Sequence, residues 1–352
     1  MVKKILVRIP NWVGDGVMAT ASLARLRSNF KGAEITVLAK PTVAALLLHH
    51  PAIDRILVYE KPGKHAGPAG FLRLISHIRK ERFDLAILLQ NAFEAALIAY
   101  CAGIPERRGY DTDGRAFLLT SALPRKDATR HQRDAFLQII PSDAGEPKAT
   151  NGGCLPAVAT SLHLREDEVW AAQNRLAPFG IVQGDFIVGI SPGSAIGSAK
   201  RWLPERFAEV ADRLIEKYQA KILLLGGPGD RKGAETVLYT MKHQATLLAG
   251  ESSLREMMAL ISLCRLSLSN DSGPMHIASA FGIPYIAIFG STEPTASFPG
   301  GRLGRVIYHG VNCSPCWLSV CPVNHHCMTS VSVQEVLVAA EEVINVGIKD
   351  SH

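Results

Sequence analysis

Short apolar runs alternate along the chain with longer stretches in which apolar residues recur at helical spacing. The runs are found in both halves, at residues 3–9, 34–39, 55–59 and 84–90 and again at 185–190, 221–226, 246–249 and 266–269. Continuous apolar runs of this length are typical of strands that are buried on both faces. Their alternation with amphipathic helices predicts parallel sheets in an α/β fold.

One segment of the first half resembles one of the second. AALIAYCAGIPERRGY at 95–110 and MHIASAFGIPYIAIFG at 275–290 each suggest a small-residue helix that ends at Gly-Ile-Pro before a new strand. We therefore predict two Rossmann-like domains, residues 1–165 and 166–352. Ligands of such sheets bind beyond the carboxyl ends of the strands, so the glycine-bearing loops of two facing domains would open onto one cleft.

Three further segments have predicted roles in this organisation. A charged helix near 164–179 is expected to bridge the domains, and the final helix, near 333–346, is expected to pack back on the first domain. The Gly- and Pro-rich stretch 61–70 predicts a mobile loop.

The segment NDSGPMHIASAFGIPYIAIFG, at 270–290, predicts a strand, a capped turn and a helix N-terminus. Unpaired N–H groups and the positive end of the helix dipole would accept an anion such as a diphosphate there. Ser272 or Gly273 would be the cap, and Pro274 suits the first turn. The alternative is that Asp271 and Ser272 only cap a core helix.

Two more glycine-bearing loops follow predicted strands of the second half. SPGSAIGSAKRW, at 191–202, combines hydroxyls with the cations of Lys200 and Arg201, which would hold a diphosphate unless the loop is an ordinary solvated turn. In LLLGGPGDRKG, at 223–233, Gly227 allows close backbone approach and Asp230 would bind ribose hydroxyls. Neither loop matches GxGxxG or GxxxxGK[ST], which argues against dinucleotide oxidoreductases and P-loop nucleotidases and favours a nucleotide-sugar transferase.

Asp15 lies between Gly14 and Gly16, directly after the first predicted strand. Small neighbours leave its carboxylate room to approach a bound hydroxyl, so it is the candidate general base. The alternative is a helix-capping aspartate.

Composition narrows the partners. The net charge is +6, which favours phosphorylated metabolites or an acidic membrane surface. Only 7% of residues are aromatic and no lysine-rich tail is present, so nucleic acid is not expected as a partner. No apolar run is long enough to span a bilayer, and the first apolar stretch is too short for a signal peptide, so a cytosolic protein is expected.

Four of the seven cysteines crowd into fifteen residues beside His325 and His326: Cys313, Cys316, Cys321 and Cys327. This spacing allows a structural metal site or a loop of reduced thiols, and only the first two residues form a C-x-x-C pair.

The chain resembles the ADP-heptose:lipopolysaccharide heptosyltransferases, most closely those that add the second heptose, nearly end to end. The resemblance lies in IPNWVGDGVMA, SPGSAIGSAKRW, LLGGPGD, LAGESSL and NDSGPMHIASAFGIP, with GYDTDGRAFLLT, RHQRDAFLQII and the cysteine-bearing CSPC and CPVNHHCM in support. It implies a GT-B fold of two facing Rossmann-like domains with an interdomain cleft. The N-terminal domain would hold the lipopolysaccharide acceptor and the C-terminal domain ADP-heptose, with inversion at the anomeric carbon and neither divalent metal nor cofactor.

The resemblance also implies roles for particular residues. Asp15 matches the family's base and Lys200 its phosphate-binding lysine, which would act in catalysis. Donor-binding positions would be Ser194, Lys200, Gly227, Asp230, Asp271, Ser272, Gly273 and His276. Acceptor-binding positions would be Asn11, Trp12, Gly14, Arg115 and Arg130, with further basic candidates at Lys61, Lys64, Arg107, Arg108 and Arg133.

The resemblance implies a cytoplasmic protein that lies peripherally at the anionic inner membrane.

Three alternative functions stay open. The chain could be a family member that uses another acceptor, adding the first or a later heptose. It could also be a non-catalytic nucleotide-sugar binding protein or, more remotely, an oxidoreductase.

Overall fold

The computed structural model describes residues 2–125, 131–141 and 159–350, with side chains described up to residue 347. The chain divides into two compact units, Met1–His163 and Leu164–His352. Each unit contains one six-stranded sheet in which neighbouring strands run parallel. The α/β prediction is confirmed.

The sheet of the first unit has the order β3-β2-β1-β4-β5-β6. Its elements are β1 (Lys4–Arg8), α1 (Val13–Asn29), β2 (Glu34–Ala39), α2 (Pro41–Leu46), β3 (Arg55–Val58), α3 (Gly67–Glu81), β4 (Leu85–Leu88), α4 (Phe93–Cys101), β5 (Glu106–Tyr110), β6 (Ser121–Leu123) and α5 (Gln132–Ile139). A short 3-10 turn, Ala116–Leu118, precedes β6.

The sheet of the second unit has the same order, β9-β8-β7-β10-β11-β12. Its elements are α6 (Glu166–Leu176), β7 (Ile187–Ser191), α7 (Pro204–Tyr218), β8 (Lys221–Leu224), α8 (Arg231–Thr240), β9 (Thr246–Leu247), α9 (Leu254–Ser262), β10 (Leu266–Asn270), α10 (Gly273–Ala280), β11 (Tyr285–Phe289), α11 (Pro294–Ser297), β12 (Gly304–Tyr308), α12 (His326–Thr329) and α13 (Val333–Asp350). The 3-10 turns are Ala177–Phe179, Ser198–Lys200 and Pro228–Asp230.

The two Gly-Ile-Pro segments occupy equivalent places. Gly103 follows α4 and leads to β5, and Gly282 follows α10 and leads to β11. Their φ angles are +76° and +69°, in the left-handed region where a residue without Cβ is favoured after a helix. The internal resemblance therefore reflects two copies of one helix-to-strand connection.

The core of the second unit lies between its sheet and helices. Trp202 packs edge-to-face on Phe207 with ring centroids 5.0 Å apart, and both side chains are fully buried. Burying one such side chain contributes about 1.5–3 kcal/mol. Within this unit α13 packs on α7, β11 and β12, and α6 packs on α9.

The structure corrects the expectation of a loop over residues 61–70. Helix α3 begins at Gly67, so the last four of these residues are helical. Gly70 is buried there, and a Cβ at this position would lie 2.6 Å from the carbonyl carbon of His65. The glycine allows the helix to pack closely on the preceding turn.

Among the described residues, no helix has the length and apolar content needed to cross a membrane.

Candidate functional site

Three loops lie at the carboxyl edge of the second unit's sheet. They follow β7, β8 and β10, which are neighbours in the sheet. Asn270, the buried last residue of β10, holds the loop after β7 in place. Its Nδ2 donates to the carbonyl oxygens of Pro192 at 2.8 Å and Gly193 at 3.2 Å, and its Oδ1 accepts from the Trp202 backbone N–H at 2.9 Å. Sequence reasoning gave Asn270 no role, although it lies in the singled-out motif.

Lys200 and Asp271 form a buried ion pair at this edge. The Lys200 Nζ lies 2.5 Å from the Asp271 Oδ2, and the two side chains are 10% and 8% exposed. The backbone N–H of Asp271 donates to the Ile288 carbonyl oxygen at 3.0 Å. This hydrogen bond fixes the backbone of Asp271 to strand β11. The structure thus brings together two residues that the sequence singled out separately.

Asp271 has hydroxyl partners that sequence reasoning missed. The Thr292 Oγ1 donates to Asp271 Oδ2 at 2.7 Å, and the Ser297 Oγ lies 3.5 Å from Oδ1. Both residues follow β11, the next strand in the sheet. The sequence signal that could have pointed to these two residues is their position shortly after a buried parallel strand. Three side chains, those of Lys200, Thr292 and Ser297, therefore orient the Asp271 carboxylate.

Ser194 lies in the loop that Asn270 holds. Its side chain is 3% exposed, and its Oγ is buried without a hydrogen-bond partner in the described structure. Arg201 donates from Nη2 to the Ser194 carbonyl oxygen at 3.1 Å, so this cation supports the loop. A buried hydroxyl left unsatisfied carries a desolvation cost that a ligand oxygen would offset.

Asp230 is engaged inside the protein. Its Oδ2 accepts from the Gly227 backbone N–H at 3.0 Å. A Cβ at Gly193 would lie 2.0 Å from the Asp230 Oδ1, so this carboxylate presses on the loop after β7. Asp230 thereby joins the loops that follow β7 and β8.

Helix α10 begins at the carboxyl end of β10. Ser272 is its N-cap residue in extended conformation, but the Ser272 Oγ donates to the Asn270 carbonyl oxygen at 3.2 Å instead of capping. Gly273 and Pro274 form the first turn, and His276 is buried in the next. No side chain caps this terminus, so its first N–H groups and the positive end of its dipole lie uncapped at the same sheet edge as the loops that carry Lys200 and Ser194.

The cysteine-bearing segment 313–327 contacts the loop after β7. The Ser319 carbonyl oxygen accepts from the Ala199 backbone N–H at 3.0 Å, and a Cβ at Gly197 would lie 2.1 Å from that same oxygen. The His325 Nε2 lies 2.8 Å from the Ala199 carbonyl oxygen. This segment therefore shapes the loop that presents Lys200.

The described cysteines are all free thiols. Burial raises the pKa of the Cys327 thiol, and so do the nearby thiols of Cys313, Cys321 and Cys316. Among the described residues, no group of three or more His, Cys, Asp or Glu side chains is arranged to hold a metal ion. The four thiols thus share one neighbourhood.

In the first unit, Asp15 lies in the first turn of α1, not in a loop before it, because the helix already begins at Val13. The N-cap is Trp12, which is 55% exposed. A Cβ at Gly16 would lie 2.9 Å from a Leu46 methyl group, so this glycine allows α2 to approach α1. Gly14 belongs to the same turn and Asn11 precedes it, and both residues are half-buried.

Arg115, which the resemblance suggests as an acceptor contact, lies inside the first unit. Arg115 is fully buried, and its guanidinium donates to the carbonyl oxygens of Tyr110 (2.8 Å), Ala92 (3.2 Å) and Gln90. Its donors are used in joining the loops that follow β4 and β5. Arg130 lies outside the described residues.

The other basic candidates also have protein partners. The guanidinium of Arg107 donates to the Leu118 carbonyl oxygen at 2.7 Å, and that of Arg108 to the Ile139 carbonyl oxygen at 2.6 Å. Lys61 pairs with Glu94 at 2.5 Å, Lys64 with Glu60 at 2.6 Å and Arg133 with Asp134 at 3.0 Å.

Residues 71–326 match the model of glycosyltransferase family 9 (heptosyltransferase). The chain belongs to this family. It is 31% identical over 320 residues to lipopolysaccharide heptosyltransferase 2 of Salmonella typhimurium, which covers 88% of this chain and 90% of that protein.

Solved structures agree with this assignment. The E. coli ADP-heptose lipopolysaccharide heptosyltransferase II matches with a TM-score of 0.82 and 26% identity over 99% of this chain and 100% of that one. The E. coli heptosyltransferase WaaC with ADP matches with a TM-score of 0.72 and 14% identity over 97% and 99% of the two chains, a likeness of fold. The predicted GT-B fold is confirmed.

Proposed function

We propose that this family 9 glycosyltransferase moves a heptose from ADP-heptose onto the heptose of the lipopolysaccharide inner core, the second heptosyl transfer, and releases ADP. The observation that carries the proposal is the buried Lys200–Asp271 pair beside the uncapped start of α10. The relative of known structure named ADP-heptose lipopolysaccharide heptosyltransferase II supports the donor and the acceptor class.

The donor would bind at the carboxyl edge of the second unit's sheet. Its diphosphate would accept from the N–H groups at Ser272 and Gly273 and from the otherwise unsatisfied Ser194 hydroxyl, with Lys200 supplying positive charge. The backbone of Gly227 would approach the nucleoside, with Asp230 holding that loop. Asp271 and His276 would face heptose hydroxyls, since a carboxylate does not favour a diphosphate by charge.

Chemistry would follow as a direct displacement. The acceptor hydroxyl oxygen would attack the anomeric carbon while Asp15 takes its proton. The bond from that carbon to the diphosphate oxygen breaks, its electron pair leaves with ADP, and the configuration inverts. Because α10 and Lys200 would stabilise the departing diphosphate, the reaction would need no divalent metal. Asn11, Trp12 and Gly14 would position the acceptor next to Asp15.

We further propose that the protein works at the cytoplasmic face of the inner membrane, in peripheral contact with anionic lipid, because its acceptor is lipid-anchored. ADP-heptose is a substrate, so no cofactor is assigned. The cysteines of segment 313–327 would stay reduced, and the backbone contacts of this segment would hold the loop that carries Lys200.

The test is ADP release by the purified protein given ADP-heptose and one of two acceptors, with the products weighed by mass spectrometry. Turnover with Kdo-lipid A that already bears one heptose, and none with bare Kdo-lipid A, supports the second transfer. Turnover only on the bare acceptor would reassign the chain to the first transfer.

Loss of all turnover despite donor binding would favour another acceptor or a non-catalytic binder. The Asp15→Asn variant separates these two. A binder would behave as the wild type does, whereas a transferase given its acceptor would lose turnover and keep donor binding.

A further inference from the structure

A pocket of about 470 Å³ with several charged residues in its wall lies wholly within the first unit. It opens at the carboxyl edge of the sheet, where Arg8 ends β1, Lys40 follows β2 and Tyr59 follows β3. Asn11, four residues before Asp15, is also part of its wall. The pocket therefore adjoins the turn on which the proposed base lies.

Arg8 is the unusual member of this wall. Its side chain is 3% exposed, its Nη2 donates to the Asn11 Oδ1 at 2.8 Å and its Nη1 to the Leu38 carbonyl oxygen at 3.3 Å. Its Nε is buried without a partner. Within the part of the chain that the structure describes, no carboxylate pairs with it at ion-pair distance. Burial lowers the pKa of Arg8 to about 10, and the charges of Tyr59 and Glu94 oppose this shift only in part.

The remaining charges of the pocket neutralise Arg8 only in part, because the pocket's carboxylate, Glu94, attracts Arg8 from beyond ion-pair distance. Lys61 and Glu94 pair with each other at 2.5 Å. Lys40 is half-buried and, among the described residues, has no acidic partner at ion-pair distance. Three cations against one carboxylate leave two positive charges in the wall. The face of Tyr59 satisfies one side of the Arg8 guanidinium at 5.4 Å, a cation–π contact that supplies no negative charge.

We infer that this pocket binds an anionic substituent of the acceptor saccharide, a phosphate monoester or a sugar carboxylate, with Arg8 and Lys40 as its counter-charges. The inference rests on the proposed function for the identity of the acceptor. A buried cation that no carboxylate pairs with is costly, and an anion in the pocket beside the Arg8 guanidinium offsets that cost. Arg8 and Lys40 thus become specificity-determining residues that orient the acceptor beside Asp15.

The kinetic test compares Lys40→Gln and Arg8→Gln with Lys31→Gln as the matched control. Lys31 is exposed and precedes β2, at the opposite end of the sheet. Removing one charged hydrogen bond to the anion raises the acceptor KM about tenfold, while the ADP-heptose KM stays constant. Lys40→Gln is the decisive variant, because its half-exposed side chain makes few demands on folding. An acceptor KM within twofold of wild type in both pocket variants would overturn the inference.

Two acceptor forms identify the anion. If a phosphate is bound, enzymatic removal of acceptor phosphate raises the wild-type KM at least to the level of Lys40→Gln and abolishes the difference between the two proteins. If a carboxylate is bound, dephosphorylation leaves the difference between the two proteins intact, and reduction of the sugar carboxyl to an alcohol abolishes it. A difference that survives both treatments would refute binding of either anion.

A binding measurement stands apart from turnover. If the wild type turns over no acceptor, the proposed function fails, and the pocket is then judged by thermal unfolding with inorganic phosphate or the free acidic sugar Kdo. A rise in melting temperature that is present in wild type and Lys31→Gln but lost in Lys40→Gln supports an anion site. Equal shifts in all three proteins, or none, would count against it.

Discussion

Replacing Asp271 with Asn tests whether the Lys200–Asp271 pair organises the donor edge. Asn keeps the size of the side chain and can still accept from Thr292, but it leaves Lys200 as a buried cation without its counter-charge. The pair is 2.5 Å apart, with side chains 10% and 8% exposed, so water screens it little. Breaking a buried pair from one side costs about 3–5 kcal/mol. For a unit of this size, that lowers the melting temperature by about 6–20 °C.

The unfolding of the second unit can be followed by tryptophan fluorescence. Of the four tryptophans, Trp202 is 1% exposed, whereas Trp12, Trp170 and Trp317 are 55%, 65% and 61% exposed. The change in emission on heating therefore reports mainly on the core around Trp202. Thermal melts of wild type and Asp271→Asn at one protein concentration give the difference directly.

The double variant Lys200→Met/Asp271→Asn separates the ion pair from the loss of two side chains. Met fills the space of the lysine stem without a charge, so the double variant contains no unpaired buried ion. We expect it to be more stable than the sum of the single losses predicts, with a coupling of about 1–3 kcal/mol. Strictly additive losses would show that the two charges do not stabilise each other and would refute this reasoning.

The same variants report on diphosphate binding. In Asp271→Asn the freed Lys200 cation can pair with an anionic ligand, so saturating ADP should raise the melting temperature by more than it does in wild type. In Lys200→Met the unpaired Asp271 carboxylate repels the diphosphate, and the ADP shift should shrink. Equal ADP shifts in all three proteins would place the diphosphate away from this pair.

Three further predictions concern single positions. Asp15→Asn should lower kcat by about 10²–10⁴-fold with an unchanged ADP-heptose KM in steady-state assays, and retained kcat would exclude it as the base. Gly193→Ala should raise the ADP-heptose KM, because its Cβ would lie 2.0 Å from the Asp230 Oδ1, whereas Gly229→Ala, with open space around its Cβ, should not. Burial and His163 lower the pKa of His50 from 6.5 to about 4, so the unfolded chain binds the proton more readily and stability should fall as pH drops from 6.5 to 4. His50→Gln should flatten that decline in urea titrations, and an unchanged slope would contradict the assignment.

The sequence pattern was sufficient for the framework of both units. The apolar run at 34–39 coincides with β2, and the run at 266–269 lies within β10. The Gly-Ile-Pro segments marked equivalent connections because left-handed glycines after helices leave a local signature. Such features depend on residues that are close together in the sequence, so they could be predicted from the sequence alone.

Pairings between distant residues could not be predicted in this way. Lys200 and Asp271 are separated by 71 positions, and each alone suggested a ligand contact. Arg115 was expected to contact the acceptor because of the resemblance, yet backbone carbonyl oxygens of two loops surround it. Which charge meets which partner is set by tertiary packing, and periodicity contains no record of it.

The contacts between segment 313–327 and the loop after β7 limit how the length of either segment can change. Ser319 and His325 contact Ala199, more than a hundred positions earlier, and Gly197 leaves no room for a side chain against Ser319. An insertion or deletion in either segment would shift the other's register and move Lys200 with it. The two segments should therefore tolerate length changes only together, and grafting one of them into a relative without the other should disable the recipient.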